Sequence, residues 1–489
     1  MKLSKSKYCN GIQCKKMLWL DKYKSEYKEE LGNNSVLDNG NEVHEIARNL
    51  FGKNINIEFN DNLNEMVKDT KKALDNQNVV ITEASFVYQD NFCSVDILKK
   101  CKDEYEMYEV KSSTHLKDIF VNDLSYQYYV LTKLGLNVTK AFVVIIDSSY
   151  VRKEELELNK LFKKIDCTDN IILLQNKVAE NIKEINDYMK QIHEPKDDIG
   201  IKCFEPYKCP FFNYCIKDIV KPNIFDIRLM SNKKKLELYK KNKYKYQDLL
   251  NEEINNKYKE QIEYELYNKK DKIEKKNIKA FLSKLSYPIY FLDFETFQMS
   301  ISKYEGIKPY EQIPFQYSLH YYEKKDGKLK HKEFLSEIDI DPRRKVAEHL
   351  VQDIPKTVCV LAYNMSFEKN VIKNLANLYP DLKDHLMNIY DNINDLMIPF
   401  KNRDYYTKDM HGSYSIKYVL PALFPDESTL DYHNLDMIHN GSEAMDSFIN
   451  LGNKTIDEQK IIRTNLLKYC YLDTYAMVKI FDKLQEVVK

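Results

Sequence analysis

Glycine is scarce, 11 in 489 residues, and no two glycines stand two, four or five positions apart. That spacing excludes GxG, GxSxG and GxxxxGK[ST], and with them a dinucleotide fingerprint, a nucleophile elbow and a phosphate-binding P-loop. A surplus of charge is lacking too, since 75 Lys+Arg stand against 75 Asp+Glu. Whole-molecule electrostatics therefore select no partner, although a local basic groove can still bind phosphates. No apolar run approaches the roughly 20 residues that cross a bilayer, and the basic N-terminus MKLSKSKYCNGIQCKKMLWL never builds a signal-peptide core. The chain is expected to stay in the cytoplasm with no membrane partner. In a reducing compartment its ten cysteines read as buried thiols or metal ligands rather than disulfides.

What is present, 43% hydrophobic and 31% charged residues, describes a globular chain of about three domains. Residues 1–222 read as an α/β domain, with strands at 78–86, 92–98, 106–111 and 141–146 and helices near 41–51 and 121–135. Residues 223–285 are rich in Lys, Glu, Asn and Tyr and read as a charged helical linker or small helical subdomain. A second α/β domain follows over 286–489. Its strands IYFLDFET, QYSLHYYE and VCVLAYN precede a largely helical end.

Two carboxylate sets carry the chemistry. In the first domain Glu109 and Lys111 stand two apart and share one strand face. With Asp96 on an adjoining strand they can bind Mg²⁺ or Mn²⁺, the Val110 carbonyl adding a ligand, while the lysine steadies water or phosphate. His44 lies on a preceding helical segment and Gln127 on a following one. This order resembles the RecB-like branch of the PD-(D/E)XK nucleases, which includes CRISPR-associated nucleases. The resemblance implies a restriction-endonuclease-like fold with His44, Asp96, Glu109, Lys111 and Gln127 in the active site. The tyrosine four positions after the family's glutamine is Leu131 here, leaving Tyr128 or Tyr129 to replace it.

Cys203, Cys209 and Cys215 are spaced six apart. Three thiolates call for a fourth, Cys14 or Cys9, and sulfur ligands select zinc or an iron–sulfur cluster; three free buried thiols are the plain alternative. The arrangement resembles the iron–sulfur RecB-like nucleases, which implies a [4Fe–4S] cluster on Cys14, Cys203, Cys209 and Cys215. Here Lys15 stands where that family often has proline, and both gaps among the last three cysteines hold five residues.

In the second domain Asp293 and Glu295 share a strand face and repel unless they hold a cation. Asn364, Glu368 and Asp395 follow, and Tyr469 and Asp473 stand at i and i+4 on a helical segment. Asp293, Glu295 and Asp473, with a further acid, can hold two divalent ions, with Tyr469 orienting the water. The set resembles the DEDDy 3′–5′ exonucleases of RNase H-like fold, with Glu368 where that family has Asp, a change that can move the role toward Asp395. Ser413, Ser415 and Lys417 are candidate substrate contacts or helix-start residues.

Together the resemblances imply a metal-dependent nuclease with two active sites, acting on single-stranded DNA or DNA ends. RNA as substrate and a nucleic-acid-binding scaffold with one decayed site are the competing readings.

Overall fold

Strand-forming alternation in residues 78–111 produces a three-stranded meander, and a computed structural model, describing residues 3–30 and 34–489, places it in a mixed α/β architecture. The chain forms two compact units, Met1–Ile219 with Met299–Glu311, and Val220–Gln298 with Gln312–Lys489. The helical stretch expected at 223–285 thus belongs to the second unit, with its own small core around Ile224, Tyr246 and Ile262. Among the described residues no helix is long and apolar enough to cross a membrane.

The first unit opens with helices α1 (Lys5–Gln13), α2 (Lys15–Tyr23) and α3 (Asn34–Ala47). Its six-stranded sheet runs in sequence order: β1 (Ile55–Asn56), β2 (Asn78–Tyr88), β3 (Asn91–Cys101), β4 (Glu104–Lys111), β5 (Asn137–Ile146) and β6 (Phe162–Asp166). The pairs β2/β3, β3/β4 and β5/β6 are antiparallel, while β1/β2 and β4/β5 are parallel. Helix α4 (Leu63–Leu74) precedes β2, and α5 (Asp118–Lys133) makes the crossover from β4 to β5 that a parallel pair requires. One face packs on α1, α5 and the later helix Gln175–Tyr188; the other packs on α3 through Val43 and Ala47.

The period-two alternation slips between β2 and β3. Ile81 and Ala84, three residues apart, face the same core, as do Val95 and Leu98. Between them the ladder skips from Thr82↔Ile97 to Ala84↔Val95, and Glu83 takes a left-handed φ of 57°. A local kink of this kind redirects side chains without breaking the sheet.

The second unit is built on a five-stranded sheet. Its strands are β8 (Ile289–Phe297), β9 (Ile313–Tyr322), β10 (Lys330–Leu335), β11 (Cys359–Ala362) and β12 (Ile393–Asp395), with a small pair β7 (Lys272–Ile273) and β13 (Tyr405–Tyr406) beside them. The order is β10-β9-β8-β11-β12, antiparallel through β10, β9 and β8 and parallel from β8 through β11 to β12. Central β8 is covered on both faces, Ile289 and Phe291 in one core and Tyr290, Leu292 and Phe294 in the other. That explains its nearly continuous apolar sequence. The long helix Ile456–Val487, started by a Thr455/Glu458 capping box, supplies much of the first of these cores.

Gly11 shows how closely α1 is seated. A Cβ there would lie 2.6 Å from Ile185 Cδ1 and 2.9 Å from Leu18 Cδ1. Gly11→Leu is expected to push α1 off the core, lowering stability by about 1–3 kcal/mol, seen as a reduced melting temperature.

Candidate active sites

In the first unit the β3–β4 ladder stops at Ile97↔Tyr108, and beyond it the Asp96 carboxylate accepts the Val110 N–H at 2.7 Å. Asp96 therefore stands between Glu109 on one neighbouring strand and Glu83, at the kink, on the other. Glu109 is 0% exposed. Lys111 Nζ donates to it at 2.6 Å and to Asp123 at 2.7 Å, and Gln127 Nε2 donates to Glu109 at 2.7 Å and to Asp123 at 3.1 Å. Lys5 Nζ, from the first turn of α1, reaches both Asp96 (3.1 Å) and Glu109 (3.0 and 3.3 Å). Burial alone would raise the Glu109 carboxyl, but Lys111 and Lys5 outweigh it and hold it well below the usual range. Asp123, buried and beside the Glu109 charge, is pushed up to about 6.

His44 Nδ1 lies 3.7 Å from Asp96. One ligand atom each from His44, Glu83 and Asp96 falls within 4.8 Å of the others, a set able to hold a metal ion. Val110 offers its amide to Asp96 here. All five active-site residues named for this domain converge. Glu83, Asp123 and Lys5 join them, missed because single acids and lysines in so charged a chain carry no spacing signal; the unfavourable αL backbone at Glu83 is visible only in three dimensions. Tyr128 and Tyr129 pack at the edge of the core, Tyr129 against Tyr88, and neither hydroxyl bonds to the cluster.

The cysteines divide by position. Cys14, at the α1–α2 junction, interacts electrostatically with Cys203, and Cys209 and Cys215 each sense both of these thiols. Cys9 instead senses Asp123, Lys111 and Glu109. Cys14 is thus the thiol that joins the other three. Gln13 Nε2 donates to the carbonyls of Lys202 (2.8 Å) and Tyr207 (2.7 Å), and the lone Trp19 donates to Gln191 O at 2.9 Å, pinning the first helices to the cysteine loop. Burial pushes the Cys209 thiol up to about 12 and Cys215 to about 11. Thiols are the soft donors that zinc and iron–sulfur clusters take, with release of the thiol protons.

In the second unit the carboxylates crowd without lysine partners at bonding distance. Asp293 and Glu295 leave β8 on the same side, toward the helix Ile456–Val487, where the Cys470 thiol donates to Asp293 at 3.9 Å. Ligand atoms of Asp293, Glu295 and Cys470 lie within 4.8 Å of one another. Glu368, 2% exposed in the first turn of Ser366–Leu378, has a buried Oε2 with no hydrogen-bond partner. Asp473 receives the Tyr432 hydroxyl at 2.7 Å, with the Tyr469 ring 5.9 Å from that of Tyr432. Tyr432 was not legible from sequence, since it comes from a loop with no motif. Lys417 faces Glu295 and Asp473 and opposes, without overcoming, the rise that burial imposes on both.

Burial, then the charges of Asp473, Glu295 and Glu368, raise Asp293 well above its usual range. Burial and Asp473 raise Glu295 likewise. Asp473 rises to about 7 and Glu368 to about 8, again through burial first. Asp395 is placed differently. Its Oδ1 accepts the amides of Asn364 (2.9 Å) and Met397 (3.0 Å), so it braces the turn into the Glu368 helix and adds to the field that raises Glu368. Asn364 itself takes a left-handed φ of 72° at that turn.

A buried carboxylate oxygen without a partner among like charges fits a divalent cation, which offsets the repulsion that the Tyr432 hydroxyl and the Cys470 thiol reduce only in part. Because these acids titrate higher folded than unfolded, their protonated forms favour the fold. That stability is complete below about pH 4 and is lost as pH rises through about 7 to 8. Metal-free protein is therefore expected to melt roughly 5–10 °C lower at pH 8 than at pH 5. Mn²⁺ should reverse the loss at pH 8 and do little at pH 5, as calorimetry would record.

Comparison with known proteins gives a family match and a curated relative. Residues 290–415 match a family described as a domain of unknown function, DUF2779, a stretch that takes in Asp293, Glu295, Glu368 and Asp395. The chain is 31% identical over 222 residues to the uncharacterised protein MG366 of Mycoplasma genitalium, covering 41% of this chain and 32%, about a third, of that protein's length.

Proposed function

We propose that the chain is a divalent-metal-dependent nuclease with two active sites, hydrolysing phosphodiester bonds of single-stranded DNA or DNA ends. The first unit is read as an iron–sulfur RecB-like PD-(D/E)XK domain and the second as a DEDD 3′–5′ exonuclease domain of RNase H-like fold. The observation that carries this reading is the gathering of Asp293, Glu295, Glu368 and Asp473 from three distant stretches into one buried crowd whose pKa values stay raised although Lys417 faces Glu295 and Asp473. Such a crowd is costly as structure and useful only around a cation. The meander β10-β9-β8 continued by parallel β11 and β12, and in the first unit the succession α4-β2-β3-β4-α5-β5, support the two fold assignments.

Asp293, Glu295, Glu368 and Asp473 would hold metal in the second unit; His44, Glu83, Asp96 and Glu109 would hold it in the first. Mg²⁺ or Mn²⁺ bound there polarises a phosphate oxygen and lowers the pKa of water. Tyr469, beside Asp473, is placed to orient the attacking water. Lys111, held by Glu109 and Asp123, offers its remaining N–H to a phosphate oxygen. Gln127 keeps Glu109 and Asp123 in register. Cys14, Cys203, Cys209 and Cys215 would hold a [4Fe–4S] cluster, whose role is to tie the first helices to the end of the domain.

Labelled single-stranded DNA and RNA incubated with Mn²⁺ test the reading. Wild type is expected to degrade DNA. Asp293→Ala should remove 3′ trimming, and Asp96→Ala the remaining cleavage, each by about 10²-fold or more. Loss of RNA but not DNA cleavage would move the substrate to RNA, and an inactive wild type that binds tightly would replace the nuclease with a scaffold.

The cluster has a separate test. Anaerobically purified protein is expected to be brown and to carry about four iron atoms per chain. Cys209→Ser should lose both the colour and several degrees of melting temperature; stoichiometric zinc without iron would overturn the iron assignment.

A further inference from the structure

Lys5 occupies an unusual place. It is the first residue of α1, where the helix dipole disfavours a cation, and that turn holds no acidic residue. Its ammonium nevertheless turns inward, only 24% exposed, and spends its donors on Asp96 Oδ1 and on both oxygens of Glu109. Lys111 donates to Glu109 Oε1 and Gln127 to Oε2 as well, so Lys5 shares both oxygens of Glu109 but joins them to Asp96. Lys5 Nζ thus stands between the two carboxylates, 3.1 Å from Asp96 Oδ1 and 3.0 Å from Glu109 Oε1, where a divalent ion shared by these acids would sit, and an ammonium and a metal ion cannot occupy one position.

We propose that Lys5 and the divalent ion are alternative occupants of the Asp96–Glu109 pair, so that Lys5 sets the metal affinity of the first active site. The inference rests on the metal site proposed above. Metal enters by displacing the ammonium, and the flexible four-carbon stem lets it leave the carboxylates while α1 stays seated through Gly11 and Gln13. Once displaced, Lys5 remains at the mouth of the site as a cation for the phosphodiester. Lys5 is thus a positioning residue: it keeps the carboxylates ionised and together until metal arrives.

The test is Mn²⁺ titration of the full chain, followed by the resonance signal of free Mn²⁺ at about pH 8, where protons compete weakly with metal for carboxylates. Asp293→Asn with Glu295→Gln in every sample removes the second unit's binding, and Asp96→Asn identifies binding in the first. Lys5→Met, which keeps the stem and deletes the charge, is expected to tighten the Asp96-dependent dissociation constant by about tenfold or more. Lys5→Arg, whose fork grips carboxylates bidentately, should leave it unchanged or weaken it several-fold, and serves alone if Lys5→Met does not fold. An unchanged or weaker constant in Lys5→Met, or a tighter one in Lys5→Arg, overturns the proposal and leaves the metal site standing. Absence of Asp96-dependent binding in every variant overturns both.

Discussion

Negative charge withdrawn from water governs this molecule. A carboxylate in a poorly solvated interior needs a counter-charge, a donor or a proton, and both units bring several together. The first unit answers with groups of its own: Lys5 and Lys111 lie on Glu109, Gln127 bridges Glu109 to Asp123, and the Val110 amide serves Asp96. The second unit has Lys417 near Glu295 and Asp473 but, among the described residues, no ammonium in contact, so burial pushes its acids toward protonation. One site is neutralised from within; the other is not.

The scaffold around each site is arranged to tolerate this. Asp96 sits where two ladders end or skip, so its oxygens are not shielded by strand pairing. β8 lies between two cores, which fixes Asp293 and Glu295 to one face by simple alternation and forces them inward with the apolar residues beside them. The Glu368 carboxylate stands at a helix start, where the dipole partly offsets its burial, and the Asp395 brace holds that start in place. Helix α1 links two features of the first unit, because Lys5 opens it and Cys14 closes it.

Much of this was legible in the linear chain for a physical reason: local geometry is periodic. The ExK spacing put Glu109 and Lys111 on one strand face, the i, i+4 spacing put Tyr469 and Asp473 on one helix face, and acids interrupting an apolar strand marked Asp293 and Glu295 as enclosed. Strand positions at 78–86, 92–98 and 106–111, and the apolar run at 141–146, correspond to β2 through β5.

Other features depended on contacts between residues far apart in sequence, which no period encodes. In the sequence only the family resemblance favours Cys14 over Cys9 as the fourth thiol, and it is the packing of α1 that turns Cys9 toward the carboxylates and Cys14 toward Cys203. Glu83 and Lys5 carry no motif; a kinked strand and an inward-turned helix start make them neighbours of Asp96. Asp395 and Glu368 compete on paper for one role until backbone amides claim the first. The sequence by itself determined which residues share a face. Tertiary structure decided which faces meet, because burial and long-range pairing set the neighbours of a charge.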